Sequence, residues 1–344
     1  MSKIKLPLPQ SGGLILSYKC TAKCRHCMYF CSTKWEDDWM KEDDLTECLS
    51  LLSGKISSSP WGKDSVSLNQ GLHFTGGEPF LNYDLLLKAA EIANEYKIPS
   101  TFVETNCFWC TNDEETREKL VKLQKAGLKG IMISVNPFYA EYIPFERTET
   151  CIRISREVFE DNVMIYQLEY YRQFKGLGIK KKIPLEDYSN LVKDDNIASR
   201  VEMFLMGRAN DSLRDFYPPY PCQDFFDQPC ITPVLRNWHN HFDNYGNIMP
   251  GFCGGISMGR WRDIDLLINE GIDLKGKPIL RFLISEDIEG LYHFAKAFGF
   301  QENPGGYLSK CDLCFHIRRF LFDEGEFDEL RPREFYLHSE YESV

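Results

Sequence analysis

The sequence predicts an α/β fold of βα units around a mainly parallel sheet or barrel, followed by a smaller unit. Two observations carry the larger part: short apolar runs alternate with stretches of helical periodicity, and glycine, cysteine and small polar residues fall at the ends of those runs. A third marks the smaller unit: beyond residue 210 the texture turns to Pro, Cys and aromatic residues, as in YPPYPCQDFFDQPC.

In chain order, residues 14–19 (LILSYK) read as a buried strand running into Cys20, Cys24, Cys27 and Cys31. Asp43 and Asp44 precede Leu45, Cys48, Leu49 and Leu52 at helical spacing, which predicts a helix over 41–53. A Ser-rich loop follows at 57–64. SLNQGLHFTGGEPFL gives a strand ending at Thr75, a Gly-Gly turn and a helix over 83–97. Further strands are expected at 100–105, 130–135, 163–170 and 200–206, with helices at 113–126 and 148–160. Lys180 to Lys182 lie in a loop. WHNHFDNYGNIMPGFC reads as a hairpin turning around Asn244 to Asn247, and a helix is expected over 286–298. The unit boundary falls near residue 214.

The 344 residues carry 40 Lys+Arg against 51 Asp+Glu, and this surplus of negative charge argues against a broad basic face that grips nucleic acid. No run approaches the roughly 18 apolar residues of a membrane helix, and MSKIKLPLPQSGG lacks the apolar region of a signal peptide. A cytoplasmic location is expected. There the 13 cysteines stay reduced, and they point to metal ligation or buried small apolar residues more than to disulfides.

C-x3-C-x2-C, made by Cys20, Cys24 and Cys27, gathers three thiols at the end of a strand. A loop of this length folds round one face of an iron–sulfur cube and leaves one iron open to a small molecule. Zinc is the alternative, with Cys31 or His26 completing four ligands. The stretch YKCTAKCRHCMYF resembles the signature of radical S-adenosylmethionine (radical SAM) enzymes, with His26 where the family often has an aromatic residue or His. The resemblance implies a [4Fe-4S] cluster on the three cysteines, SAM chelated by the free iron, and reductive cleavage of SAM to a 5′-deoxyadenosyl radical that takes a hydrogen atom from substrate. It also implies a reducing partner such as flavodoxin or ferredoxin.

FTGGEPFL resembles the family's second signature, in which the backbone of Gly76, Gly77 and Glu78 meets the SAM amino group; two glycines permit close approach and Glu78 adds negative charge. ETN, ending at Asn106, resembles the third-strand end, with Cys107 in place of a glycine. ISVNP resembles the fourth strand, which places Ser134 and Asn136 at the ribose, although Asp is frequent where Asn136 stands. EMFLMGRA resembles the sixth-strand segment beside adenine and includes Gly207. The fold implied is a partial (β/α)6 TIM-like barrel with a small C-terminal α+β iron–sulfur extension, divided as 1–214, 215–320 and an acidic tail at 321–344.

FDNYGNIMPGFCGGISMG resembles the hairpin that opens the auxiliary-cluster extension of these enzymes, in its compact, single-cluster "twitch" form rather than the longer SPASM form. One auxiliary iron–sulfur cluster is expected on Cys253, Cys311, Cys314 and one of Cys222 or Cys230, with Cys230 preferred for its shorter gap to the hairpin. Structural zinc on the same thiols is the alternative. Cys107 and Cys110 are expected to be buried or pocket-lining, Cys48 and Cys151 core. His239 and His241 are expected to be a packed or surface pair more than ligands. The substrate expected is a small molecule or a peptide in a biosynthetic pathway; with Cys20 so near the start, a peptide would come without a leader or on a separate carrier. The competing class is a non-catalytic electron-transfer or zinc-stabilised binding protein, and RNA modification ranks below both.

Overall fold

The computed structural model describes residues 3–340. Its ten strands are β1 (Lys3–Ile4), β2 (Ser11–Ser17), β3 (Gly71–Gly76), β4 (Phe102–Thr105), β5 (Gly130–Ser134), β6 (Val163–Tyr166), β7 (Asn240–Asp243), β8 (Asn247–Met249), β9 (Gly259–Arg260) and β10 (Ile272–Asp273). β1 and β10 form a small antiparallel ribbon; the other eight form one sheet in the order β6-β5-β4-β3-β2-β7-β8-β9. β2 to β6 are parallel neighbours in sequence order, and helices connect them: α1 (Glu42–Leu52), α2 (Tyr83–Glu95), α3 (Asp113–Lys125), then α4 (Pro137–Ala140) and α5 (Phe145–Phe159) between β5 and β6. This is the layout of a partial βα barrel, mixed α/β and mostly parallel.

Local chemistry sets the helix starts. The Asn112 side chain accepts from Glu115 N at 2.9 Å, and α3 opens with three acidic residues and closes with Lys122 and Lys125, which complements the helix dipole. Asn82 caps α2 the same way through Leu85 N. α1, α2, α3 and α5 each turn a buried face inward, with Leu45, Cys48, Leu49 and Leu52 on α1 as the sequence spacing required.

Three strands depart from expectation. β2 begins three residues earlier than its first apolar residue, because Gly12 and Gly13 lie where side chains do not fit; a Cβ on Gly12 would stand 2.2 Å from the Asn240 carbonyl oxygen of β7. The strand expected at 200–206 is absent, and residues 202–206 are irregular. β6 stops after four residues because Gln167 turns into the left-handed region (φ 66°) and starts α6 (Leu168–Gly176). The Gln167 amide then substitutes for a strand neighbour, donating to Glu202 O at 2.9 Å and accepting from Glu202 N at 3.2 Å.

The hairpin turning at residues 244–246 joins β7 to β8, and β7 pairs parallel with β2, so the C-terminal part continues the same sheet. The acidic tail is a covering helix, Arg333–Glu340, with Phe335 and Tyr336 buried. Residues 341–344 of the tail lie outside the described residues.

Candidate functional site

β2 ends at Ser17, and the chain then crosses the carboxyl ends of the parallel strands as an irregular loop carrying Cys20, Cys24, Cys27 and Cys31. The loop is pinned from several sides. Tyr18 stacks on Trp35 at 4.6 Å, Trp35 Nε1 donates to Phe30 O, and Arg25 makes a forked pair with Glu141 at 3.0–3.2 Å. Arg208, which the sequence reading passed over, is buried and donates to Cys24 O at 2.8 Å and Cys31 O at 2.9 Å, while its own N–H donates to Cys27 O at 3.0 Å. Gly207 is left-handed (φ 59°), and a Cβ there would lie 2.6 Å from the carbonyl oxygens of Cys27 and Met28.

The thiols sense one another. Burial pushes Cys20 up to about 12 and Cys24 well up, with neighbouring thiols adding to both. Cys27 is pulled down to about 6 by a hydrogen bond from Cys31 and by the Arg208 guanidinium. Buried thiols that disfavour ionising beside one another give up their protons when a cationic centre takes the protons' place.

The Gly-Gly-Glu turn meets this loop through its backbone. Gly77 N donates to Ser17 O at 2.8 Å and Glu78 N to Lys19 O at 3.0 Å. A Cβ on Gly77 would fall 1.9 Å from the Lys19 carbonyl oxygen, so only glycine allows this approach. The Glu78 side chain is fully buried and already engaged: Oε1 accepts from Thr105 Oγ1 and Phe80 N, and Oε2 from Asn106 N at 2.8 Å. It ties the end of β3 to the end of β4, and burial raises it to about 8.

Asn106 reaches back to the cysteine loop, donating to Thr21 Oγ1 at 3.1 Å and lying 3.7 Å from Cys20 Sγ. Asn136 caps α4 with its Oδ1, accepting from Phe138 N and Tyr139 N; this orients Nδ2 toward His26 Nε2 at 3.3 Å. His26 is held down to about 4 by burial and Arg208, so its Nε2 lone pair accepts. Ser134 ends β5 in the same region, bonded to Tyr139. Gly76, Gly77, Glu78, Asn106, Ser134 and Asn136 therefore gather at the strand ends around the cysteine loop, and Gly207 packs on the loop itself.

Cys230, Cys253, Cys311 and Cys314 line one cavity of about 270 Å³, walled also by Met28, Gly207 and Phe335. Cys311 and Cys314 come from the first turns of helix Lys310–Glu324, and Cys253 from just after β8. Burial, then the neighbouring thiols Cys314 and Cys253, push Cys230 up to about 11. Arg318 is buried beside Cys253 and Cys314 and donates to Gly254 O and to the Tyr336 hydroxyl. Cys222 is not in this cavity; it is buried beside Glu302. Cys107, Cys110 and Cys151 are fully buried in mutual contact, and Cys48 is core.

His73 belongs to no motif and Glu104 only opens ETN, yet they line the inner face of the sheet together with His239 and His241. The signal that joins them is alternation: His73 and Thr75 share a face of β3, and Glu104 the facing side of β4.

No protein-family profile matches the chain. A "Putative peptide biosynthesis protein YydG" of Bacillus subtilis (strain 168) is 25% identical over 146 residues, which span 41% of this chain and 40% of that protein. Among solved structures, BtrN in complex with AdoMet and 2-DOIA aligns at TM-score 0.47 and 13% identity over 84% of this chain and 91% of that one. Native anSMEcpe with bound AdoMet aligns at 0.43 and 12% over 91% and 97%, and Streptococcus suis SuiB bound to S-adenosylmethionine at 0.36 and 16% over 79% and 68%. The chain resembles radical SAM enzymes in its cysteine loop, in the strand that delivers the loop, and in the Gly-Gly-Glu turn that receives it.

Proposed function

We propose that the protein is a radical SAM enzyme that removes a hydrogen atom from a peptide or small-molecule biosynthetic substrate. The observation that carries this reading is the seating of three neighbouring thiols, Cys20, Cys24 and Cys27, on one loop that meets the Gly76-Gly77 backbone at the strand ends. With a [4Fe-4S] cluster and SAM bound, the site supplies a 5′-deoxyadenosyl radical. The chain's own part is to hold the loop through Arg208, present the Gly76–Glu78 backbone to a cationic amine, fix Asn106 through Glu78, and keep His26 neutral against Asn136. Ser134 and Gly207 complete the SAM-lining set.

The second set, Cys230, Cys253, Cys311 and Cys314, fits one auxiliary cluster, probed by iron and sulfide analysis. Four thiols round one cavity leave no need for Cys222. Met28, adjacent to Cys27, forms part of that cavity's wall, which suits electron transfer between the two centres. Residues 1–214 then carry SAM chemistry and 215–320 the second cluster, whose cavity Phe335 of the tail helix helps to wall. An electron donor such as flavodoxin or ferredoxin completes the cycle, and a cytoplasmic setting suits both clusters; no helix among the described residues is long and apolar enough to cross a membrane.

Similarity to a putative peptide biosynthesis protein supports a peptide substrate. The test is anaerobic: reconstituted, reduced protein with SAM is expected to release 5′-deoxyadenosine, and Cys24→Ala to abolish release. Absence of 5′-deoxyadenosine from the fully loaded wild type under strong reductant returns the protein to the non-catalytic iron–sulfur or zinc-binding class.

A further inference from the structure

His73 of β3, His239 just ahead of β7 and His241 within β7 meet on the inner face of the sheet. One ring nitrogen from each lies within 4.8 Å of the other two, and the ring centroids are separated by 5.0, 5.3 and 5.5 Å. β2 runs between β3 and β7, and its Gly13 stands in register with both His73 and His241. A Cβ on Gly13 would lie 2.4 Å from His73 Nε2 and 2.7 Å from His241 Nε2, so both nitrogens point into the same small gap above a residue without a side chain.

The surroundings set the nitrogens up as acceptors. Tyr29 donates its hydroxyl proton to Gly251 O at 2.7 Å, which leaves its oxygen to accept from His241 Nδ1 at 3.0 Å. The proton therefore sits on Nδ1, and Nε2 turns its lone pair to the gap, as an outer partner does for a ligating histidine. His73 Nε2 is buried and has no hydrogen-bond partner in good geometry. Glu104 Oε1 lies 3.4 Å from it, and Thr75 fixes the other carboxylate oxygen at 2.6 Å. Burial holds His73 and His239 down to about 3 and His241 well below its usual value, so all three are neutral. Arg236 is the opposing charge nearby, held by the His239 carbonyl at 3.1 Å; the Glu104 carboxylate offsets it.

Packing alone does not account for this arrangement. An orphaned buried nitrogen is destabilising, and a carboxylate beside it would be better replaced by an apolar side chain unless something cationic joins them. We propose that His73, His239 and His241, with Glu104 beside them, bind one divalent transition-metal ion with a preference for imidazole and carboxylate ligands, zinc or ferrous iron, apart from both cysteine groups. Imidazole suits these ions. At Zn–N distances of about 2.0–2.1 Å the nitrogens of a tetrahedral site stand roughly 3.3 Å apart, which side-chain rotation of the three rings supplies. Phe102, Met132, Met164 and Tyr166 continue the same inner face. The proposal stands apart from the SAM chemistry.

The test uses the full chain with its iron–sulfur sites loaded, so that the thiols are occupied. Zinc sulfate is added, excess is removed, and the protein is analysed for zinc and by zinc-edge X-ray absorption. The expected result is one zinc per chain with nitrogen and oxygen neighbours near 2.0 Å. His239→Gln, at the most exposed of the three positions, and Glu104→Gln are expected to weaken retention by about 10- to 100-fold while iron content and the unfolding midpoint stay at wild-type values. His241→Ala is expected to abolish it. No retained zinc, or a sulfur shell near 2.3 Å that survives the histidine variants, overturns the proposal. None of these outcomes depends on 5′-deoxyadenosine release.

Discussion

Arg208 donates from Nη1 to the carbonyl oxygen of Cys24 at 2.8 Å, joining positions 184 residues apart. With the bond to Cys31 O, one planar guanidinium braces the cysteine loop at two points. Lysine is a point charge that does not reproduce this fork. Arg208→Lys and Arg208→Gln should each strand a buried carbonyl at about 1–3 kcal/mol. The expected outcome is a lower iron and sulfide content after reconstitution together with a lower unfolding midpoint. Full iron loading in both variants would mean that the brace is dispensable.

Gly77 and Gly176 make a matched pair. An alanine methyl at 77 collides with the Lys19 carbonyl at 1.9 Å, whereas nothing lies within 4 Å of one at 176, the last residue of α6. Gly77→Ala is expected to cost at least about 1–3 kcal/mol and to weaken SAM binding, measured by thermal unfolding and equilibrium dialysis. Gly176→Ala should be neutral or stabilising by about 0.4–1 kcal/mol. Equal midpoints for the two variants would contradict the close approach.

Cys230 and Cys222 separate by the same logic. Cys230→Ala removes a thiol from the cavity shared with Cys253, Cys311 and Cys314; Cys222→Ala removes one beside Glu302. Iron analysis of reconstituted protein should fall by up to about four irons, one cluster, in the first variant and stay level in the second. Loss in the Cys222 variant alone would reverse the ligand assignment.

Glu329 gives a pH signature. Its side chain is fully buried, accepting from Ile279 N and Leu280 N, and burial raises its carboxyl above the usual value of 4.5. A folded-state value above the unfolded one means that the native protein holds the proton more tightly, so this group's contribution is fully present below pH 4.5 and is lost as pH rises through the folded value. Glu329→Gln keeps an acceptor oxygen for both N–H groups and cannot ionise. Relative to the variant, wild type should therefore lose unfolding temperature on going from about pH 4 to about pH 8. A constant difference across that range would show that Glu329 does not titrate on folding.

The cysteine loop, the Gly-Gly-Glu turn and the order of the first five parallel strands were legible because each is a local pattern: fixed spacing, a turn, and alternation of apolar runs. The strand expected at 200–206 failed because Gln167, remote in sequence, supplies the partner that a sixth strand would have found in backbone. Glu78 looked like charge for a ligand, but Thr105, Phe80 and Asn106 consume its oxygens. Arg208 and His73 were silent for the same reason: their partners come from distant strands and loops that no spacing rule connects. H-x-H at His239 and His241 shows only a pair along the chain, and His73 joins them only once β2 is threaded between β3 and β7.

The pairing of β2 with β7 sets a timetable. β2 leaves the ribosome long before the strand that covers one of its edges, which begins only at Asn240. Until then the edge from Gly12 to Ile15 presents unpaired backbone groups beside an apolar run, a template for pairing with other chains. Synthesis at about 5–20 residues per second leaves that edge open for on the order of ten seconds or more. A fragment ending at residue 214 lacks β7 and would never close that edge.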